Sequence, residues 1–144
     1  MAILSVEAIL TNSARARIAK MLETGKSYKI THFLLGDEGH DPEDPTIALT
    51  PNPAAQTCMG NVFGPKAVAG VTYANASCPV WQCTITAGEY VGPVSALCLV
   101  ATIVYSPDVG DPEVGLTFTA AVATRPLFIQ SDLDTLDVFV AIQS

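Results

Sequence analysis

Charge is scarce in this sequence. Only 15% of its 144 residues are Asp, Glu, Lys or Arg, and just seven of those are basic. Against fourteen acids this leaves a net charge of −7, which argues against nucleic acid as a partner, because phosphate binding needs a basic face. The chain has two histidines, His32 and His40, and one tryptophan, Trp81. It has no G-x-S-x-G, no H-E-x-x-H and no phosphate-cradling glycine loop. The four cysteines (Cys58, Cys78, Cys83 and Cys98) form no C-x-x-C pair and have no histidine at ligand spacing, so zinc is not expected. We therefore expect no enzyme, and no catalytic, cofactor-binding or metal-ligating residues. The longest apolar run, residues 94–105, falls well short of the ~20 residues a membrane helix needs. "MAILSVEAIL" lacks a basic leader and carries Glu7, so it does not read as an export signal. On that reading the chain is soluble and "NAS" at Asn75 is a chance match to the glycosylation pattern.

Apolar residues make up 49% of the chain, enough for one folded domain spanning residues 1–144 with a surface poor in solvating charge. "TNSARARIAKMLETG" predicts a helix. Thr11, Asn12 or Ser13 would cap its start and Gly25 would close it in a left-handed conformation. Ala14, Ile18, Met21 and Leu22 recur at helical spacing and predict a core-facing stripe. Most of the remaining chain reads as strand. Tyr28, Ile30, His32 and Leu34 alternate up to Gly36, which would place His32 on the apolar face as a packing residue. "KAVAGVTYA" is a weak strand, and "PVWQCTIT" alternates with Trp81, Cys83 and Ile85 on one face. "VSALCLVATIVY" is apolar on both faces and belongs in the sheet centre or against a partner. "VGLTFTAAVAT" turns Leu116, Phe118 and Val122 to one side, and the polar "SPDVGDPEVG" before it reads as a hairpin connection. In "LDTLDVFVAIQS", Leu136, Val138, Val140 and Ile142 alternate. The fold class is α+β: one short N-terminal helix followed by a mainly antiparallel sheet or sandwich.

Residues 36–65 are rich in proline and glycine and show no period. They predict an extended loop that adds little to the chain's own core and instead contacts a neighbouring subunit. Its first part, "GDEGHDPEDP", crowds Asp37, Glu38, His40, Asp41, Glu43 and Asp44 together. The regular D-x-D-x-D-G alternation of a calcium loop is missing. Glycines that allow positive φ, aspartates that close local turns and prolines that keep the chain extended account for the cluster as a turn. Cys83 reads as a small core residue, and all four thiols are expected free and buried, since assembly in a cytosol disfavours disulfides. Charge is unevenly placed. Arg15, Arg17, Lys20, Lys26 and Lys29 precede residue 36 with only Glu7 and Glu23, while the rest of the chain is strongly acidic. Such a chain fits either stacking of basic end on acidic side in an assembly or one solvated basic helix on an acidic domain.

The order "ILTNSARARIAKMLETGKSYKITHFLLGDEG" resembles the N-terminal region of tail-collar and tail-fibre proteins of tailed bacteriophages. Those begin with a leucine–threonine–asparagine segment, a short Ala-rich helix, a glycine and a strand ending in a Gly-Asp-Gly-like turn. "GEYVGPVSALCLVATIVYS" is similar to the family's apolar strand after a Gly-rich turn. The segment from Asp41 to Pro65 is longer and richer in proline than the family's. The resemblance covers about two thirds of the chain and implies a non-enzymatic virion protein: a tail or baseplate component or fibre adaptor, assembled in the host cytoplasm. It brings no catalytic residues with it. The expected partners are other tail and baseplate proteins and further copies of the chain, as a trimer or ring, with no nucleic acid and no membrane. The alternatives are a capsid decoration or head–tail connector protein and a small β-rich ligand- or carbohydrate-binding module. Such a module would expose aromatics, whereas the alternation places the single Trp81 on an inward face.

Overall fold

The structure, a computed structural model, describes residues 2–75 and 77–142. Its elements are β1 (Ala2–Leu10), α1 (Asn12–Thr24), β2 (Ser27–Gly36), β3 (Asn61–Ala67), β4 (Gly70–Asn75), β5 (Cys78–Ile85), β6 (Gly92–Tyr105), β7 (Thr117–Gln130) and β8 (Leu136–Ile142). One helix and a mostly antiparallel sheet make the α+β class expected from the sequence. The strands run in the order β3-β2-β6-β7-β1-β8-β5-β4. Among the described residues only β1 and β8 are parallel neighbours.

β1 folds this ladder on itself. Residues Ala2 to Ala8 pair with β8, whereas Ile9 and Leu10 pair with β7, so one strand serves two layers. On the far side the turn after β3 brings the layers together again: Val68 N–H donates to Thr31 O of β2, and Ala69 N–H to Gln82 O of β5. Between the layers lies the main core, where Leu97 and Leu99 of β6 meet Cys83 and Ile85 of β5 and Val138 and Val140 of β8. Each large apolar side chain buried there contributes about 1.5–3 kcal/mol. The period of two read in β5 and β8 is the cause, because it aims every second side chain inward. β1 was not expected as a strand, yet Ala2, Leu4, Val6 and Ala8 point into the same core.

Two one-residue slips change which face is inside. In β2, Ile30 pairs with Ala101 and His32 with Val100, so Thr31 is extra. Beyond that bulge Phe33 and Leu35 turn inward while Leu34 faces outward, so the inward face is not the one that carries His32. His32 is half-buried, with Nδ1 2.8 Å from Thr31 Oγ1. In β7 the slip falls at Ala120: Leu99 pairs with Ala121 and Val100 with Thr119. Phe118 then packs near the helix, Val122 lies on the outer face, and Leu116 precedes the strand and is exposed, so the three do not share a side. A bulge of this kind leaves no periodic mark in the sequence.

The largest correction concerns residues 36–65. Asn61 to Ala67 form β3, which tolerates Pro65 because an edge strand has no further neighbour waiting for its N–H. Residues 37–60 form a strap across the outer face of β6 and β7. Leu127 N–H donates to Pro45 O, the Thr124 hydroxyl to Leu49 O, and the Thr119 hydroxyl to Gln56 O. Under the strap Cys58, Ala96, Cys98 and Val122 form a second buried cluster, and Cys58 is joined to Cys98 as a disulfide. Those two cysteines are therefore not the free thiols expected. Cys83 is a free, buried thiol, as its place in the alternation implied, and Cys78 is free and half-buried. The two-faced strand β6 is central, and both of its faces are covered by its own chain.

Candidate interaction site at the open end of the sandwich

Helix α1 begins where expected. Thr11 is its N-cap, with Oγ1 accepting from Ala14 N–H at 3.1 Å and donating to Thr119 O at 2.8 Å. Gly25, at φ 70°, returns its N–H to Met21 O and closes the helix. One cap thus starts the helix and ties it to β7. The predicted apolar stripe is only partly covered. Ala14 is buried against Ala101 and Ala120, but Ile18 is 48% exposed and Leu22 fully so. The helix lies across one end of the sandwich without filling it.

The result is an apolar mouth of about 360 Å³ between the helix and the two layers. Ile18 and Met21 form its helix side, Tyr28 and Phe118 one layer, and Trp81 and Ile142 the other. Phe118 stands edge-on to Tyr28 with ring centres 5.7 Å apart, and the Arg17 guanidinium lies 4.6 Å from the Phe118 ring centre. Lys29 lines the mouth, and Lys20 lines an adjoining polar cleft. Among the described residues, Arg15, Arg17, Lys20 and Lys29 make no ion pair. Lys26, by contrast, is held 3.1 Å from Asp111 and 2.7 Å from Glu113.

Asp111 fixes the β6–β7 connection to this end. The Glu113 N–H, then a hydrogen bond with Ser106, then Lys26 hold its carboxyl down to about 2, below the ordinary 3.8. A depressed carboxylate pKa stabilises the fold above the unfolded value, and that contribution disappears as pH falls through the folded one. Acid titration should therefore weaken the wild type between about pH 4 and pH 2, and Asp111→Asn should flatten this part of the stability–pH curve. A curve unchanged by the substitution would remove Asp111 as its source.

The acidic cluster does the turning expected of it. Asp41 Oδ1 accepts from Glu43 N–H, and Asp44 Oδ1 accepts from both the hydroxyl and the N–H of Thr46. Those bonds also hold the Asp44 carboxyl below its ordinary value. Among the described residues no three His, Cys, Asp or Glu groups converge on a metal position. His40 does more than the sequence indicated. Its Nδ1 lies 2.8 Å from Ser95 Oγ, which also accepts from Gly39 N–H at 2.8 Å. A serine beside a histidine is half of a nucleophile–base arrangement, but Ser95 is wholly buried and its oxygen is committed to the strap. The pair pins the strap to β6. Burial pushes the Cys83 thiol up to about 12, so it is an unreactive core group.

No signal in the sequence marked the mouth as open. Its lining residues have the periodicity of core, and only their placement around an end that the described residues underfill leaves them uncovered. No protein-family model, curated protein or solved structure matches the chain. Among the described residues no helix is long and apolar enough to cross a membrane.

Proposed function

We propose that this chain is a non-enzymatic structural protein of a tailed-bacteriophage tail, a baseplate component or fibre adaptor that works through protein–protein contacts. The observation that carries the reading is the apolar mouth, beside which α1 presents Ile18 and Leu22 to solvent. Contiguous exposed apolar surface next to a cleft marks a binding surface, and the cleft has almost no polar groups with which to orient a reacting substrate. The likeness of residues 9–39 to the tail-collar layout supplies the setting. On this reading the protein is carried in the virion tail after assembly in the host cytoplasm, in contact with other tail or baseplate proteins and with its own copies.

Antibody raised against the recombinant chain tests this on intact particles of the phage or prophage that encodes it. Label confined to the tail or baseplate, seen by electron microscopy, is the expected result. Label over the head would replace the reading by a decoration or connector role, and unlabelled, intact particles would end it.

A further inference from the structure

The mouth has a matching knob on the same chain. The turn between β7 and β8 carries Leu133, 85% exposed and flanked by Asp132 and Asp134. This turn is not a loose tip. Gln130, itself buried, donates from Nε2 to Asp134 O at 2.7 Å, and Leu133 N–H donates to Ser131 Oγ at 3.2 Å. Its position is opposite to the mouth. Ala2 pairs with Leu136 at one end of the β1–β8 ladder and Ala8 with Ile142 at the other, where α1 follows. The knob and the mouth are thus separated by the length of the sandwich, about 20 Å at ~3.3 Å per strand residue.

Charge is also unequal between the two ends, with cations gathered around the mouth. Arg15, Arg17, Lys20 and Lys29 lie around the mouth without ion-pair partners among the described residues, although Glu7, Glu23 and Asp108 are at this end too. Asp111 and Glu113 reach this end too, but Lys26 is already set between them. The opposite end carries Asp132 and Asp134 on the turn, and Asp37, Glu38, Asp41, Glu43 and Asp44 follow β2 there, with Arg125 of β7 among them. An apolar cleft lined by more cations than acids therefore faces away from an apolar side chain set in the more acidic end.

We propose that the chain associates with itself head to tail, the Leu133 turn of one copy entering the mouth of the next. The occupant of the mouth is thus a second copy of this chain. The contact joins two different surfaces, so it repeats from copy to copy and closes into a ring or continues as a filament according to the rotation per step. Leu133 supplies the apolar contact. The Asp132 carboxylate beside it and the cations of Arg17, Lys20 and Lys29 orient the encounter. The inference rests on reading the mouth as an assembly contact and names its occupant. Val109 is also exposed beside acids, but it lies at the mouth end itself, where a reciprocal contact would close after two copies.

Complementation of two variants tests this on the purified chain. Leu133→Glu spoils the knob and Ile18→Glu the mouth; both positions are exposed enough to leave folding intact, which circular dichroism checks. Sedimentation of the wild type should show species that grow with concentration and shrink as salt rises. Each variant alone should associate about tenfold to a hundredfold more weakly, as loss of one buried leucine contact implies. Mixed, they should form one-to-one dimers that grow no further, because one sound knob and one sound mouth remain. A monomeric wild type, or a Leu133→Glu chain that associates like the wild type, overturns the proposal. Loss of association by Val109→Glu instead would point to the reciprocal pair. A monomeric wild type together with antibody label on tails would sink self-docking while leaving the tail reading in place.

Discussion

Gly39→Val should destabilise the protein by about 3 kcal/mol or more, a large fraction of the stability of a domain this size. A Cβ at Gly39 would run into the backbone carbonyl of Ser95, an atom that cannot rotate aside. Behind Ser95 stands β6, whose two faces are both packed, so that strand has nowhere to move. The strap must lift instead. Lifting it breaks the Gly39 and His40 bonds to Ser95 Oγ and the bond from Leu49 N–H to Gly39 O, and it opens Ala96, Cys98 and Val122 to water. Urea unfolding measures the loss. Gly70→Ala is the control, since a Cβ at Gly70 meets nothing, and it should stay within about 0.5 kcal/mol of wild type. If Gly39→Val unfolds at the same urea concentration as that control, the strap is not an integral layer of the fold.

Opening the Cys58–Cys98 disulfide should cost about 2–4 kcal/mol. The bond closes a loop with a sequence separation of 40, and the chain-entropy relation for that length gives about 4 kcal/mol as the upper end. Strain and residual structure in the unfolded chain reduce what is realised. The readout is the shift in urea midpoint on adding reductant, repeated with Cys58→Ala and Cys98→Ala together, which should start low and respond little to reductant. Cys83 does not complicate the comparison, being buried with its thiol pushed up to about 12. Protease cleavage within residues 43–55 should speed up when the bond opens, because the strap then rests on hydrogen bonds and a small apolar cluster alone. Equal stability with and without reductant would show that the bond closes only what packing already holds.

Both expectations bear on the case for assembly. A strand apolar on two faces suggests a partner, but the strap supplies the second face from within the chain. The case for self-association passes to the uncovered mouth and the unequal charge of the two ends of the sandwich.

Local patterns determined a good part of this molecule. Thr11 and Gly25 bound the helix because capping is a matter of a few adjacent residues: a hydroxyl three positions before an unpaired N–H, and a residue free to take positive φ. Alternation placed Cys83, Ile85, Leu136, Val138 and Val140 inside, since a strand with one buried face must repeat with period two. The aspartates of the acidic segment close turns over two residues, and that too is local.

What remained depended on contacts between distant residues. A bulge at Thr31 or Ala120 arises from the partner strand's register, so the reversal of faces there has no sequence period to reveal it. The strap has no period because its order comes from β6 and β7, through bonds such as Thr124 to Leu49 and Thr119 to Gln56, and from a disulfide across 40 positions. Leu10, Ala14, Trp81 and Phe118 look like core residues in one dimension. Whether an apolar side chain is covered depends on how much volume converges on it, and at this end of the sandwich one short helix does not bring enough.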